Sequence, residues 1–201
     1  KQSMKLNVIT APPSEPLTLA EVKSHLRVSG STDDDMISGY ITQAREYCEG
    51  IQNRKYITQT IEGYLNDFPC VDYIEFKSCS PVQSITSMEY RDSDGDWHTF
   101  SSDNYELDSV SFVNKVDLGY NKDWPTTTLW PVNAVKITFV AGYDPDESGE
   151  TTDYAANVPE NVKQAMILHI KLLYYDYKPE ERKYYESARD SFLKMERVWP
   201  A

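Results

Sequence analysis

The densest group of ligand-type side chains in the chain is the run Asp92, Ser93, Asp94, Gly95 and Asp96, followed by His98. Alternating carboxylates can hold a hard cation such as calcium, and carboxylates beside a histidine can serve a metal-dependent hydrolase. The spacing supports neither chemistry. A helix-flanked calcium loop needs a glutamate six residues after its glycine; Ser101 stands there, between runs that alternate as strands do. Asp-Gly between two strand-like runs is a hairpin signal instead. His25, His98 and His169 lie on three separate segments without ligand spacing. On its apolar helical face His169 reads as a hydrogen-bonded packing residue. Cys48, Cys70 and Cys79 are odd in number and lack a C-x-x-C pair, which argues against a disulfide framework or zinc site and for a reducing compartment. No G-x-S-x-G, phosphate loop or H-E-x-x-H occurs, and eight glycines are few for cofactor loops. The residues propose no reaction, no catalytic group, no metal and no cofactor.

What the chain offers in quantity is contact chemistry. Fifteen Tyr and four Trp supply large apolar areas with polar tips, the side chains favoured at protein interfaces. Trp97, Trp124, Trp130 and Trp199 can pack in a core, stack on sugars or seat a partner. Trp124-Pro125 and Trp130-Pro131 lie in a loop, where burial is less assured. Trp199 follows an amphipathic last helix at an end that frays unless something holds it. The contact candidates are therefore Tyr184, Tyr185, Phe192 and Trp199 first, and Trp124 and Trp130 second. The competing reading of the last helix is simple packing within its own bundle. A β-rich carbohydrate- or protein-binding module is the alternative function.

These residues must be positioned by 201 residues with 20 Lys+Arg against 32 Asp+Glu, a net charge of −12 and a pI near 4.7. That length suits one domain, or one with a large insertion. With 40% hydrophobic residues and a mean hydropathy of −0.59, no apolar run is long enough to span a bilayer, and no membrane partner is expected. The acidity argues against tight nucleic-acid binding, which draws on Lys and Arg at phosphates. The charge is uneven. Residues 1–60 carry 7 basic and 7 acidic groups and residues 61–143 carry 5 and 13; residues 144–160 carry none and 6, and residues 161–201 carry 8 and 6. Met4 opens a polar segment without a secretory signal, and Lys1, Gln2 and Ser3 before it read as an expression remnant.

The ends read as helical. Thr18 with Glu21 forms a capping box for a short helix to about Arg27. Gly30 breaks the chain, Thr32 caps a second helix, and Asp33, Asp34 and Asp35 fill a first turn that favours negative charge. Met36, Ile37, Tyr40, Ile41, Ala44, Tyr47, Cys48 and Ile51 then make a continuous apolar stripe. From Tyr56 to Leu65 the period falls to 2. Further strand-like runs cover 73–77, 84–91, 97–100, 105–107, 111–116 and 135–141, short and turn-separated, which predicts an antiparallel sheet or small barrel. Residues 142–157 form a polar acidic loop, whose composition is compatible with disorder until binding and leaves its order open. Asn157 and Pro159 start a helix through Val162, Ala165, Met166, His169, Leu173 and Tyr177 that sits centrally and stops at Pro179. A final helix from about Glu181 presents Tyr184, Tyr185, Ala188, Phe192 and Met195. The fold class is α+β: residues 4–55 and 158–201 form a discontinuous helical bundle, 56–141 a β-rich insertion and 142–157 the acidic loop.

The ordered set P-P-x-x-E-P-L-T-L-A-E-V-K-x-H-L-R-V (12–28), N-R-K-Y-I-T-Q-T (53–60), P-V-Q-S-I-T-S-M-E-Y-R-D-S-D-G (81–95), F-V-A-G-Y (139–143) and V-P-E-N-V-K-Q-A (158–165) resembles the head-tail connector proteins of tailed bacteriophages, in members with a β insertion. The resemblance covers Leu6 to about Tyr177; the acidic loop and the last helix depart from it. It implies a non-catalytic structural virion protein at the head-tail junction, made in the bacterial host cytoplasm. Such a protein assembles as a ring with itself, a dodecamer under the portal protein, and joins the DNA-filled head to a stopper or tail-completion protein. DNA would pass through the channel without specific binding, and the strong negative charge suits such a lumen if the acidic face lines it.

Overall fold

A computed structural model describes residues 4–199. The reading of Lys1–Ser3 as a remnant, and the last two positions of the 158–201 segment, lie outside the described residues. The chain divides into two compact units, one of Lys1–Pro12 with Thr58–Gly142 and one of Pro13–Ile57 with Tyr143–Ala201. The class is α+β.

The first unit holds two antiparallel sheets. Strands β1 (Lys5–Thr10), β2 (Gln59–Leu65), β3 (Tyr73–Glu75), β4 (Val82–Arg91), β5 (Trp97–Thr99), β6 (Tyr105–Asp108), β7 (Lys115–Leu118) and β8 (Val135–Ala141) pair in the orders β1-β2-β8-β4-β5 and β3-β7-β6. β2 and β8 alternate strictly between buried and half-buried positions, as their period-2 sequences require. Ile61, Met88, Val116, Ile137 and Phe139 are fully buried and, with Phe76, make this unit's core. Gly63 leaves room for its neighbours: a Cβ there would meet Met4 Sδ at 2.5 Å, so the Met4 side chain would have to shift, and Phe139 Cε1 at 3.2 Å.

Three expectations are corrected in this unit. Residues 5–10 are not part of the helical bundle: they form a strand whose backbone pairs with β2 from Lys5↔Tyr64 to Val8↔Ile61. β2 begins at Gln59 rather than Tyr56, because Tyr56 and Ile57 are buried in the helical core. The strand expected at 111–116 starts only at Lys115. Asp108 accepts hydrogen bonds from Val110 N, Ser111 N and Ser111 Oγ, and buried Asn114 donates from Nδ2 to the carbonyls of Asp108 and Ser111, so 109–114 is a turn.

The second unit packs α1 (Leu19–Leu26), α2 (Asp34–Gln52), α3 (Glu160–Tyr174) and α4 (Pro179–Lys194) around Ile37, Ile41, Ala44, Cys48, Val162, Met166 and Ile170. Both halves of the Thr18–Glu21 capping box are present. α2 is capped at Asp33, not Thr32, and the Asp33 carboxylate accepts from the Tyr174 hydroxyl at 2.7 Å instead of capping the helix. α3 starts after Pro159, because the Asn157 side chain is spent on the Asp144 carbonyl. It stops at Tyr174, before Tyr177. Pro179 opens α4 rather than closing α3, in the first-turn position where a missing N–H costs nothing. The 142–157 loop is structured: Asp146 and Asp153 exchange backbone hydrogen bonds of 2.9 and 2.8 Å, and Tyr154 and Ala155 pack on the helical core.

Candidate functional site

α4 is fastened at its C-terminal end rather than along an apolar face. Only Arg189 and Leu193 are buried within it, with Val198 beyond. The end of α2 grips that tail: Gln52 Nε2 donates to the Leu193 carbonyl (2.9 Å), Asn53 Nδ2 to the Val198 carbonyl (2.8 Å), and Arg54 Nε to the Glu196 carbonyl (2.5 Å). Val198 N returns a bond to the Gln52 carbonyl. Midway along α4, the Arg189 guanidinium lies 4.6 Å from the centre of the Tyr47 ring and donates to His169 Nδ1 at 3.0 Å, while His169 stacks on Tyr47. Burial, then the nearby Arg189 charge, lowers the His169 pKa to about 4, which keeps it a neutral acceptor. The packing role expected for His169 is its role in the fold.

This clamp leaves aromatic surface on the same unit. Tyr174, Tyr175, Tyr177, Tyr184 and Tyr185 form a chain of ring contacts with centroids 4.6–5.7 Å apart. Tyr184 is 72% exposed and Trp199 is 65% exposed, the latter beneath the Arg197 guanidinium. Tyr185 is half-buried in the tyrosine chain, whereas Phe192 packs against the helical core. The structure thus brings Tyr184 and Tyr185 together and directs Phe192 inward. Met195 is exposed, because the buried face of α4 is centred on Arg189 and Leu193.

The two secondary candidates differ. Trp124 stacks on Phe68 with centroids 5.0 Å apart and donates Nε1–H to the Val71 carbonyl (2.8 Å), so it closes the β core. Trp130 is on the surface under Arg91, 4.4 Å from the ring centre. A groove of about 660 Å³ is lined by Met4, Leu65, Phe68, Val71 and Tyr73, two of them partners of Trp124, and Cys70 on its rim is exposed. Cys48 and Cys79 are buried, and burial pushes the Cys48 thiol up to about 12.

The acidic hairpin forms the expected turn. Asp92 lies 2.5 Å from His98 Nε2 and accepts from the backbone N–H of Asp96 and Asp94, and these bonds, the His98 contact foremost, hold its pKa low. Among the described residues no group of three or more His, Cys, Asp or Glu is placed to hold a metal. No helix among them is long and apolar enough to cross a membrane. The sheet sandwich without essential helices that a carbohydrate-binding module requires is not the architecture, since the helical unit is as extensive as the β unit.

The sequence profile of the phage gp6-like head-tail connector protein family matches residues 16–122, more than half of the chain. The chain belongs to this family. No curated relative matches. Among solved structures, the fold is similar to a chain from the neck of an empty GTA particle with C6 symmetry, at 18% identity and a TM-score of 0.77, covering 98% of this chain and 97% of that one. It is also similar to a chain of a native gene transfer agent virion (20%, TM-score 0.74) and one from the native neck with C12 symmetry (19%, TM-score 0.74), each at the same coverage. Identity this low speaks to fold alone, and the shared fold covers 98% of this chain, extending over both units.

Proposed function

We propose that this connector assembles side by side into a ring, twelve copies under the portal, at the head-tail junction of a tailed phage or phage-like particle. It joins the DNA-filled head to a stopper or tail-completion protein and works by binding, without catalysis. The observation that carries this reading is the end-to-end likeness of a family member to chains built into particle necks of C6 and C12 symmetry. A closed ring requires heterologous contacts, in which each copy offers two different surfaces to its neighbours. The net charge of −12 fits a passage along which DNA slides without being held.

Tyr184, Tyr185 and Trp199 are the proposed contact residues of the helical unit and Trp130 that of the β unit; Phe192 packs on the helical core and Trp124 on Phe68. Truncation before Glu181 is a poor test, because it strips Leu193 and Val198 from the core. Point substitutions are cleaner. Light scattering of the protein alone and mixed with the cognate portal should show a ring or a stable portal complex. Tyr184→Ala and Trp199→Ala should weaken that complex without lowering Tm. A monomer that ignores the portal at all concentrations sinks the connector role.

A further inference from the structure

Among the described residues neither edge strand of the five-stranded sheet, β1 or β5, pairs with a further strand. β1 is exposed along nearly its whole length, and all three residues of β5 are exposed. Edge strands are commonly guarded by charges, proline or bulges, since their free N–H and C=O groups can pair with another chain. β1 has a bulge near Ile9, yet its one charged residue is Lys5; Leu6–Thr10 carry none, and Val8 and Ile9 are about half exposed. Lys5 bonds neutral Asn133, so its charge has no carboxylate in that bond. The opposite edge is flanked by Asp94 and Asp96, both exposed at the hairpin tip. One edge is cationic and the other anionic.

Topology fixes how two such edges can meet. Every neighbouring pair in the sheet is antiparallel and the strand count is odd, so β1 and β5 run in the same direction. Rotation about an axis along the strands therefore brings β5 of one copy beside β1 of the next as a parallel pair. A head-to-tail junction of this kind propagates around a ring, whereas a two-fold axis would pair like edges and stop at a dimer. The pleat limits the register. The cross-strand row Lys5, Tyr64, Lys136, Glu89 and Thr99 lies on one sheet face, and Trp97 shares it two residues before Thr99. Setting Lys5 beside Trp97 brings it to the strand end that leaves the Asp94–Asp96 tip and sets Asn7 beside Thr99.

We propose that β5 of each copy pairs in parallel with β1 of a second copy, with Lys5 against the Asp94–Asp96 tip, so that the sheet continues from subunit to subunit. The proposal rests on the ring reading above. Three residues of strand are far less than the contact area of a stable complex, so this junction orders copies already gathered on the portal and does not by itself hold free protein together.

The test uses the full chain with its portal. Lys5→Glu and Asp96→Lys should each weaken ring assembly about fivefold, the scale of an exposed ion pair turned to repulsion, and the double variant should recover it. With Cys70→Ser as background, Asn7→Cys/Thr99→Cys should give a disulfide ladder of multimers in assembled rings under oxidation, and each single cysteine should not. Wild-type rings whose charge variants assemble normally, or whose double cysteine variant stays monomeric on a denaturing gel, overturn the junction alone. Failure of the wild type to form any ring on the portal overturns the connector reading, and this proposal with it.

Discussion

Gln52 is the most informative position at which to perturb the helical unit. Its side chain is fully buried, its Nε2 donates to the Leu193 carbonyl at 2.9 Å, and its Oε1 accepts from the Tyr56 hydroxyl at 2.6 Å. Tyr56 is itself fully buried, and burial raises its pKa far above the usual phenol value, so the hydroxyl remains a donor. Gln52→Leu keeps the volume but leaves a buried hydroxyl and a buried carbonyl unpaired. Each costs about 1–3 kcal/mol, and the added apolar contact offsets a part, so the expected loss is about 2–4 kcal/mol. Tyr56→Phe alone orphans only the amide oxygen and should cost about 1–2 kcal/mol. In the double variant the orphaned hydroxyl is gone. The two costs should therefore fall short of additivity by about 1–2 kcal/mol. Urea denaturation followed by circular dichroism at the helical band measures all four proteins. A Gln52→Leu protein within about 0.5 kcal/mol of wild type, the scatter of an ordinary surface substitution, or a fully additive cycle, would refute the reasoning.

Three further outcomes follow from the same structure. His169 is held neutral with a pKa of about 4 against an ordinary 6.5, so between these values the unfolded chain binds the extra proton; this part of the stability is complete above pH 6.5 and is lost as pH falls toward 4. His169→Gln should flatten the fall in Tm between pH 7 and 4.5, and an unchanged slope would mean that His169 is not a buried neutral acceptor. Thr18→Ala removes the capping box of α1 and should cost about 1 kcal/mol by denaturant titration, with no effect on the β unit. Asn114→Ala strips the bonds to Val82 N and to the Asp108 and Ser111 carbonyls, and should cost about 3 kcal/mol and speed hydrogen exchange at Val82; unchanged exchange would argue that the turn does not depend on it.

Where one face is buried and the other wet, periodicity reported the element. α2 and β8 are the clear instances, and β2 was displaced only at its start. Where burial is not what makes the element, the pattern failed. β1 is exposed on both faces and is a strand because β2 offers it a partner, a fact about residues 59–65 that no reading of 5–10 contains. α4 misled in the opposite way. Counting apolar residues offered Phe192 as a contact residue, whereas the structure packs it on the core and buries a guanidinium against a tyrosine ring and a histidine, the latter paired over twenty residues of sequence. Buried Arg45 and Glu49 on α2, tied to Glu15, Lys55 and the Tyr56 backbone, were missed for the same reason. The assembly surface lies one level further from the sequence. Exposed aromatics alone do not mark it, since Trp130 and Trp199 each have an arginine of their own chain over the ring. A sheet edge without a neighbouring strand among the described residues is a stronger marker, because edge N–H and C=O groups can pair with another chain. Yet which strands are edges, and that the two edges run in the same direction, becomes visible only once the order β1-β2-β8-β4-β5 is known. For the proposed junction, the acidic tip of one edge and the lone lysine of the other acquire meaning only through that order.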